Sequence, residues 1–370
     1  MNALTESRVH LLQFLTMARS FGLGMAGLAA LLLACELLFR ILPVSTATMT
    51  GYYIDAAIVS YPPGHHWTVS SGWDLRNAQR LAANNLGFVA DGDFVPDKDA
   101  IGLVGDSYVE AGMLANLDRP AKQLAQALGG RRAVYAFGGP GSALLDYAER
   151  IRYASQHLGL RDFVVLMEAG DVRQSLCGSG NVHSPCLDRE TLQSRNEPLP
   201  DSSLAKRLLR HSALAQYIVG QLKVAPSRLL SQLFPVGVAH PVPARHASPT
   251  ASAETPQQAD RRAAMVQAVA HAFFDRVAPY AVGQLVFVID GRRGLDDLRS
   301  ESAALAPLMR ERAAFMAIAR QRGATVIDAE PLYRGHWQVS GRALAVGPHD
   351  GHLNREGVGL LMRATAEAMQ

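Results

Sequence analysis

The sequence lacks any long run of lysine or arginine, and charge of either sign is scarce overall. Its 36 basic residues nearly balance 33 acidic ones, which leaves a net charge of +3 over 370 residues. Nucleic-acid-binding proteins usually concentrate basic residues on one surface, so that class is disfavoured. Extended disorder is disfavoured as well, because 48% of the residues are hydrophobic. The length suffices for one large α/β domain or two small ones.

Cysteine is also scarce, with three in the whole chain. Cys177 and Cys186 flank a short segment of turn-forming residues, so we expect their side chains to meet. In an oxidising compartment such a pair forms a disulfide. A metal site that adds His183 is the alternative, but zinc-binding cysteines usually lie closer together in sequence. No other pattern indicates a metal ion or an organic cofactor, so we expect neither.

The chain has one long apolar run, at residues 21–43 near the N-terminus. About 20 apolar residues cross a bilayer core as a helix. Two arginines precede this run, whereas no lysine or arginine occurs between Arg40 and Arg76. The positive-inside rule then places residues 1–20 in the cytoplasm. We therefore predict a single-pass protein of the inner membrane with residues 44–370 in the periplasm.

Two alternatives for this segment leave most of the chain in the same compartment. A cleaved signal peptide would need a small-x-small site after the apolar run, and the candidates there are poor. Leu32–Cys35 is similar to a lipoprotein signal, but the apolar pattern continues past Cys35. An uncleaved anchor is favoured, and a periplasmic location agrees with the expected disulfide.

Strand and helix patterns alternate along most of the remaining chain. Five apolar runs have the length of buried strands, at 101–105, 132–137, 162–167, 284–290 and 324–328. Helical patterns occur at 120–128, 142–157, 302–322 and 354–369. This alternation predicts a flavodoxin-like α/β fold, a three-layer sandwich around a five-stranded parallel sheet. Ligands of such sheets bind at the carboxyl ends of the strands.

Two regions do not fit the alternation. Residues 44–100 are rich in turn signals, and we interpret them as an irregular lead-in that wraps the domain. Residues 173–283 are too long for one connection, and we interpret them as an insertion that flanks or caps the site. Within it we expect a helix near 203–222 and a mobile loop over the Pro/Ser/Ala-rich residues 241–258.

The first candidate motif is Gly105-Asp106-Ser107, directly after the first strand. A serine on a strand-to-helix turn can present its hydroxyl above the sheet, close to backbone N–H groups. Serine needs a base to become a nucleophile. Helix capping by Asp106 or Ser107 is the structural alternative.

The second candidate motif lies before the last helix and supplies an imidazole and a carboxylate. His352 is our choice for the base, with Asp350 holding its tautomer. His349 is an alternative base. A polar turn in which Asn354 caps the last helix is the structural alternative. A third motif, Gly138–Ser142, can offer bare backbone N–H groups, or it can serve only as a tight turn.

Together these blocks resemble the SGNH/GDSL hydrolase superfamily, in its membrane-anchored bacterial form. The resemblance is carried by residues 84–88, 101–112, 134–149 and 350–357, and it covers roughly 84–172 and 284–370. It implies Ser107 as nucleophile, His352 as base and Asp350 as acid. It also implies an oxyanion hole built from the N–H groups of Ser107 and Gly141.

The chain departs from this superfamily in two places. The acid usually lies three residues before the histidine, where this chain has His349; here Asp350 lies two residues before. After the third strand the superfamily has an Asn-Asp pair, where this chain has Gly170-Asp171. The side-chain donor is then missing, although a backbone N–H of Gly170 can replace it. Asp171 either helps to orient the site or caps the following segment.

Three functions follow from these patterns. The first is hydrolysis or transfer of an ester, an O-acetyl group in our interpretation, on a cell-envelope carbohydrate. The second is a catalytically degenerate carbohydrate-binding or scaffold subunit, which the missing asparagine favours. The third is a lipase at the membrane, which would have a broad apolar groove around Ser107.

Overall fold

The structure is a computed structural model that describes residues 3–46, 49–179, 185–199, 204–222, 255–293, 305–347 and 350–370. The chain divides into two compact units. The first comprises Met1–Ala47, Thr68–Ala78 and Ser202–Val236, and the second comprises Thr48–Trp67, Gln79–Asp201 and Gly237–Gln370. The sequence placed residues 44–370 in one domain, whereas parts of that range group with the N-terminal helix.

The first unit is built on one long helix, α1 (Ala3–Ile41). Its segment Leu15–Ile41 is long and apolar enough to span a membrane, with a mean hydropathy of 2.0. Near its end the Glu36 carboxylate accepts hydrogen bonds from the Ser212 hydroxyl at 2.8 Å and the Leu214 N–H at 3.0 Å. These contacts join α1 to the short helix Ala213–Ala215 of the same unit. A second short helix, Leu204–Leu209, precedes it in the region where one helix was predicted.

The lead-in is more regular than predicted. It contains two hairpins, β1 (Gly51–Asp55) with β2 (Ile58–Ser60) and β3 (His66–Ser71) with β4 (Arg76–Ala82). β1 and β2 have only five and three residues, and β3 and β4 are rich in polar residues, so the strand patterns are too weak to detect among the turn signals.

The core of the second unit is the predicted five-stranded parallel sheet. Its strands are β5 (Ile101–Gly105), β6 (Val134–Gly138), β7 (Asp162–Met167), β10 (Leu285–Ile289) and β11 (Thr325–Asp328). The order β11-β10-β7-β5-β6 is that of a flavodoxin-like sheet, and every observed pairing is parallel. Every residue of β5 is buried, which explains its unbroken apolar run.

Helices cover both faces of this sheet. They are α2 (Ser107–Glu110), α3 (Pro120–Ala127), α4 (Leu144–Leu158), α5 (Asp171–Gln174), α6 (Pro256–Val277), α7 (Ala306–Gln321), α8 (Ala329–Ser340) and α9 (Arg355–Ala368). One face buries a cluster of aromatic rings that includes Phe163, Phe273 and Phe287. The other face packs Leu103 and Leu361 among aliphatic side chains. The predicted three-layer sandwich is confirmed.

The insertion predicted at 173–283 is shorter than expected. Its last part is α6, a 22-residue helix whose buried side chains include Val266, Val269 and Phe273. This helix is a core element between β7 and β10, which makes it part of the sandwich. The apolar stripe begins only after the Pro/Ser/Ala-rich residues 241–258, so the residues that carry it were assigned to the insertion. Residues 241–254 lie outside the described residues.

Two small hairpins complete the second unit. One pairs β8 (Pro185–Leu187) with β9 (Ser194–Asn196), and the other pairs β12 (Ala345–Gly347) with β13 (Asp350–Leu353). The β12–β13 hairpin precedes α9 and carries the histidine motif. It was not predicted, because each strand has only three or four residues.

Candidate active site

Ser107 begins α2 directly after β5, as the sequence predicted. The Asp106 carboxylate caps this helix by accepting a hydrogen bond from the Tyr108 N–H at 2.8 Å. A side chain at Gly105 would put its Cβ 2.6 Å from the Leu166 carbonyl oxygen, so only glycine fits this position. The capping alternative is therefore realised for Asp106, and it places Ser107 at the carboxyl edge of the sheet.

The hairpin β12–β13 brings His352 to the serine. Its Nε2 lies 2.8 Å from Ser107 Oγ, and its Nδ1 lies 2.6 Å from Asp350 Oδ1. The Asp350 carboxylate also accepts the backbone N–H of His352 at 3.0 Å, which holds the acid beside the ring. Asn354 caps α9 through the Gly357 N–H at 3.0 Å. Serine, histidine and aspartate thus form one hydrogen-bonded chain, and His349 lies outside the described residues.

The glycines after β6 serve different purposes. A Cβ at Gly138 would lie 2.4 Å from the backbone nitrogen of Glu110, so this glycine permits α2 to approach the strand. Gly141 adopts a left-handed conformation with φ of 75°, which an L residue rarely tolerates. Gly141 lies in the turn before α4, at the carboxyl end of the strand that pairs with β5. Its place is consistent with an oxyanion donor.

The turn after β7 contains both Gly170 and Asp171. Gly170 has φ of −79° and ψ of −20°, which any residue can adopt. Asp171 is fully buried, and one carboxylate oxygen accepts hydrogen bonds from the Tyr147 hydroxyl and the Glu168 N–H, each at 3.0 Å. Asp171 therefore fixes the turn on which Gly170 lies.

Three carboxylic acids gather under the serine. Oxygen atoms of Asp106, Glu168 and Asp171 all lie within 4.8 Å of one another. Burial, followed by the Glu168 carboxylate, raises the pKa of Asp106, and burial, followed by Asp106, raises the pKa of Asp171. Burial also raises the pKa of Glu110 to about 7. Buried carboxylates this close disfavour one another's ionised forms.

A buried arginine compensates part of this charge. The Arg150 side chain donates to the carbonyl oxygens of Gly105 at 2.7 Å and Phe137 at 3.2 Å. It therefore ties α4 to the ends of β5 and β6, beneath the serine turn. Burial lowers its pKa, and the carboxylates around it act in the opposite direction. Asp146 and Asp106 are among these carboxylates.

A second arginine contacts both the segment that carries Ser107 and the segment that carries His352. Arg293 ion-pairs with Asp290, donates to the Gly351 carbonyl oxygen and lies 4.7 Å above the Tyr108 ring. Burial acts to lower the pKa of Arg293, but the Asp290 carboxylate outweighs it and the net shift is upward. Since Tyr108 follows the serine and Gly351 precedes His352, Arg293 contacts both halves of the site.

A cavity of about 390 Å³ lies beside the triad. Its lining includes Tyr108 and Gly351 from the catalytic segments, charged Glu168 and Arg293, and Trp337 of α8. Among the described residues, no hydrogen-bond acceptor reaches the buried indole N–H of Trp337. The cavity therefore combines an aromatic ring with several polar groups.

The predicted disulfide is present. Cys177 and Cys186 are bonded with an S–S distance of 2.03 Å, and His183 lies outside the described residues. Within the described part of the chain, two groups have ligand atoms close enough for a metal ion. One contains these two cysteines with Glu197, and its sulfur atoms form the disulfide. The other is the acidic cluster beneath Ser107.

Arg150 and Arg293 were both missed at the sequence level. Arg150 has a detectable signal, because it occupies a position on the buried stripe of α4 between Tyr147 and Ile151. A charge on an apolar stripe marks a buried polar contact. Arg293 follows a predicted strand but contacts Gly351, 58 residues later. No local pattern reveals such a contact.

Comparison with known proteins gives structural matches alone. No protein-family model matches the sequence, and no curated protein matches it. Solved structures that match include a lipolytic G-D-S-L family member from Veillonella parvula, with 11% identity, coverage of 73% of this chain and 96% of that one, and a TM-score of 0.39. Est24, a carbohydrate acetylesterase from Sinorhizobium meliloti, matches with 10% identity, coverage of 74% and 98%, and a TM-score of 0.37. A catalytic mutant of the acetylxylan esterase Axe2 from Geobacillus stearothermophilus matches with 10% identity, coverage of 74% and 95%, and a TM-score of 0.38.

Proposed function

We propose that this protein is a serine esterase or O-acyltransferase that acts on an ester, an O-acetyl group, of a cell-envelope carbohydrate. The observation that carries the proposal is the hydrogen-bonded chain of Ser107, His352 and Asp350. A scaffold subunit would not need His352 Nε2 within 2.8 Å of the serine hydroxyl. Ser107 lies on α2 whereas His352 and Asp350 lie on β13, so two segments distant in sequence place these polar groups in one hydrogen-bonded chain.

The geometry supports a two-step acyl transfer. His352 Nε2 takes the proton as Ser107 Oγ attacks the ester carbonyl carbon, and Asp350 stabilises the imidazolium. The oxyanion forms near the N–H groups of Ser107, Gly141 and Gly170. His352 then returns the proton to the alcohol oxygen, which leaves as the C–O bond breaks. Water or a second hydroxyl, deprotonated by His352, attacks the acyl-enzyme and releases the serine.

The cavity beside the triad favours a carbohydrate over a lipid as the alcohol part of the ester. A fatty acyl or lipid group would bury apolar surface, and charged Glu168 and Arg293 would lose hydration against it. A sugar can form hydrogen bonds with these groups while a ring face packs on Trp337. In the proposed complex the sugar lies beside Tyr108 and the small acyl group lies at Ser107.

The cellular location is part of the proposal. Helix α1 has a segment that meets the length and hydropathy of a membrane span, and Arg8 and Arg19 precede its apolar run at residues 21–43. The Cys177–Cys186 disulfide is typical of proteins outside the reducing cytosol. Both observations support an inner-membrane anchor with the catalytic unit in the periplasm.

The alternative is a degenerate binding or scaffold protein, and Gly170 is the observation that favours it. A glycine has no side-chain donor, and loss of one oxyanion donor costs about 10²–10³ in rate. Such a loss weakens an esterase but leaves the nucleophile and base in place. The alternative therefore predicts a serine that does not react despite its position beside His352.

Labelling with a fluorophosphonate probe separates these functions. We expect the full-length protein in detergent to be labelled at Ser107, and Ser107→Ala and His352→Ala to lose labelling. Ser155→Ala is the matched control, since this serine only donates to the Tyr280 carbonyl oxygen. If folded wild-type protein is not labelled, the esterase proposal is wrong and the scaffold function is favoured.

A further inference from the structure

A segment of the first unit runs alongside the end of α1. Three contacts along this segment meet successive positions of α1 and of the chain just after it: the Ser212 hydroxyl donates to Glu36 at 2.8 Å, the Tyr217 ring stacks on Phe39 with centroids 4.3 Å apart, and Gln221 accepts the Ser45 N–H at 3.0 Å. The contacts follow the same order along both partners. Residues 212–222 therefore lie parallel to α1 from Glu36 to beyond its last residue.

The position of Glu36 on α1 sets the depth of this segment in a bilayer. A helix rises about 1.5 Å per residue, so Arg19 and Arg40 lie about 32 Å apart along α1. This distance matches the thickness of a hydrocarbon layer, about 30 Å. With the two arginines at the boundaries of that layer, Glu36 lies about one helical turn inside it. The start of the 212–222 segment, which contacts Glu36, then lies at the same depth.

The polar groups at this depth satisfy one another. The Glu36 carboxylate accepts hydrogen bonds from Arg40 Nε at 2.8 Å, from the Ala213 N–H at 3.1 Å and from the Leu214 N–H at 3.0 Å. The N–H groups at the start of a helix have no partner within that helix, and lipid offers them none. A charged side chain inside a membrane likewise needs a partner. The helix start and the Glu36–Arg40 pair therefore compensate each other in the absence of water.

The turn between β3 and β4 is attached to the same segment. The Tyr217 hydroxyl donates to the Trp73 carbonyl oxygen at 2.7 Å, and the Gln221 side-chain amide donates to the Gly72 carbonyl oxygen at 2.7 Å. The Trp73 side chain is 74% exposed. Because Tyr217 packs on Phe39, these contacts hold Trp73 near the end of α1. Tryptophan and tyrosine are enriched at this level of membrane proteins, where apolar chains meet headgroups.

The exposed side chains of the segment are apolar. Ile218, Val219 and Leu222 are all exposed, whereas Gln221 is buried against the β3–β4 turn. Residues 213–222 include no charged side chain. A helical segment that faces water normally carries charged or polar residues on its outer face. The outer face of this segment therefore fits lipid better than water.

We propose that residues 72–75 and 212–222, which we call the membrane collar, insert into the boundary between headgroups and acyl chains in the leaflet where α1 ends. The inference goes beyond the proposed esterase activity and rests only on the proposed membrane anchor. Lipid is the occupant of this surface because contacts with α1 fix the depth of the collar. The collar gives the first unit a second attachment to the bilayer, which restricts the tilt and rotation of α1.

Thiol accessibility tests the collar in the full-length protein. Val219→Cys and Val282→Cys are each made in a Cys35→Ser background, which removes the free thiol, and are reconstituted in phosphatidylcholine vesicles. The two valines are 41% and 57% exposed, and Val282 lies outside the first unit. A thiol reacts as its thiolate, which lipid disfavours, so Val219→Cys should react with a water-soluble maleimide at least about tenfold more slowly than Val282→Cys. Equal rates would overturn the inference.

Brominated phosphatidylcholine distinguishes lipid from a second copy of the chain. Bromine quenches tryptophan on contact, so brominated vesicles should lower the emission of the wild-type protein. Trp73→Phe keeps the carbonyl that Tyr217 contacts and should remove the quenched part of the emission. Protection of Val219→Cys without quenching of Trp73 would mean that a second copy covers the collar, and would overturn the inference.

Flotation of the vesicles separates failure of the collar from failure of the anchor. Protein that does not float with the vesicles refutes the anchor and the collar together. Protein that floats, but has equal thiol rates, refutes the collar alone. Fluorophosphonate labelling of Ser107 in the same samples reports on the esterase proposal independently of either result.

Discussion

Gly170→Asn tests whether this chain lacks an oxyanion donor that its fold can accommodate. Gly170 has φ of −79° and ψ of −20°, so a non-glycine residue introduces no backbone strain. A Cβ there would meet only the side-chain amide of Gln174, at 3.0 Å from Nε2. The flexible end of that side chain can move by a few tenths of an ångström. Asparagine is also a favoured residue at the start of a helix, and Gly170 precedes α5.

The magnitude follows from the value of one donor in the transition state. A preorganised oxyanion donor contributes about 3–4 kcal/mol, or ~10²–10³ in kcat. A newly introduced amide is less well held, so we expect a gain in kcat of at least about tenfold. Replacement of glycine also restricts the unfolded chain, which is worth about 0.4–1 kcal/mol and offsets the contact with Gln174.

The assay is hydrolysis of p-nitrophenyl acetate by the full-length protein in detergent, with kcat and KM determined separately. Gly170→Ala is the control, because it has the same backbone and Cβ but no amide. The gain should be in kcat, since the donor acts on charge that develops only in the transition state. If the folded asparagine variant is no faster than the alanine variant, Gly170 does not occupy the donor position.

Three further predictions concern the frame around the site. Arg293→Met removes the ion-pair partner of buried Asp290 and the donor to the Gly351 carbonyl oxygen, so the unfolding free energy should fall by about 3–5 kcal/mol and kcat should fall with it. Arg292→Met is the control, because it breaks a part-buried pair with Glu330 that does not line the cavity beside Ser107, and it should change kcat little. Equal losses of kcat in the two variants would contradict the reasoning. Replacement of both Cys177 and Cys186 by alanine removes the cross-link that closes a short loop, with a sequence separation of 9. The unfolding free energy should fall by about 2.5 kcal/mol. Wild-type protein that keeps its full unfolding free energy under reducing conditions would contradict this prediction. Burial raises the pKa of Glu110 from 4.5 to about 7, so the stability that it contributes is fully present below pH 4.5 and is lost as the pH rises through 7. Urea unfolding should show a fall of about 3 kcal/mol in the unfolding free energy of the wild type over that window, and Glu110→Gln should lack this fall. Parallel pH curves for variant and wild type would contradict this sign.

The sheet was predictable because its strands are buried on both faces. Ile101–Gly105 and Asp162–Met167 form unbroken apolar runs, and the structure places strands over the same residues. Burial on two faces removes the polar alternation that makes surface strands ambiguous. The hairpin strands of residues 44–100 show neither an unbroken apolar run nor a clear polar alternation. They were therefore interpreted as irregular chain.

The missed helix α6 shows where periodicity fails. Its apolar residues Val266, Val269 and Phe273 have helical spacing, but a polar first turn follows a long Pro/Ser/Ala stretch. Thr255 and Gln258 form a capping box that marks the start of the helix. Giving this capping box more weight than the Pro/Ser/Ala composition would have separated the helix from the insertion.

The contacts of the buried arginine Arg293 could not be predicted from any local sequence pattern. Arg293 reaches Asp290, three residues away, and Gly351, 58 residues away, and only the second contact joins it to the site. Spacing along the chain can predict which elements form. It cannot predict which side chains meet where separate elements end at one edge of a sheet.

Helix capping and the proposed catalytic role are not competing explanations for these two motifs. Asp106 caps α2, which fixes the backbone on which Ser107 projects, and Asn354 caps α9 two residues after His352. A helix that begins at a defined residue is a rigid support, so a cap beside a catalytic side chain limits where that side chain can lie. The capping residues were the structural alternatives to a function for both motifs. The distance from Ser107 Oγ to His352 Nε2 is 2.8 Å, and both side chains lie beside a capped helix start. The presence of a cap therefore strengthens the functional interpretation.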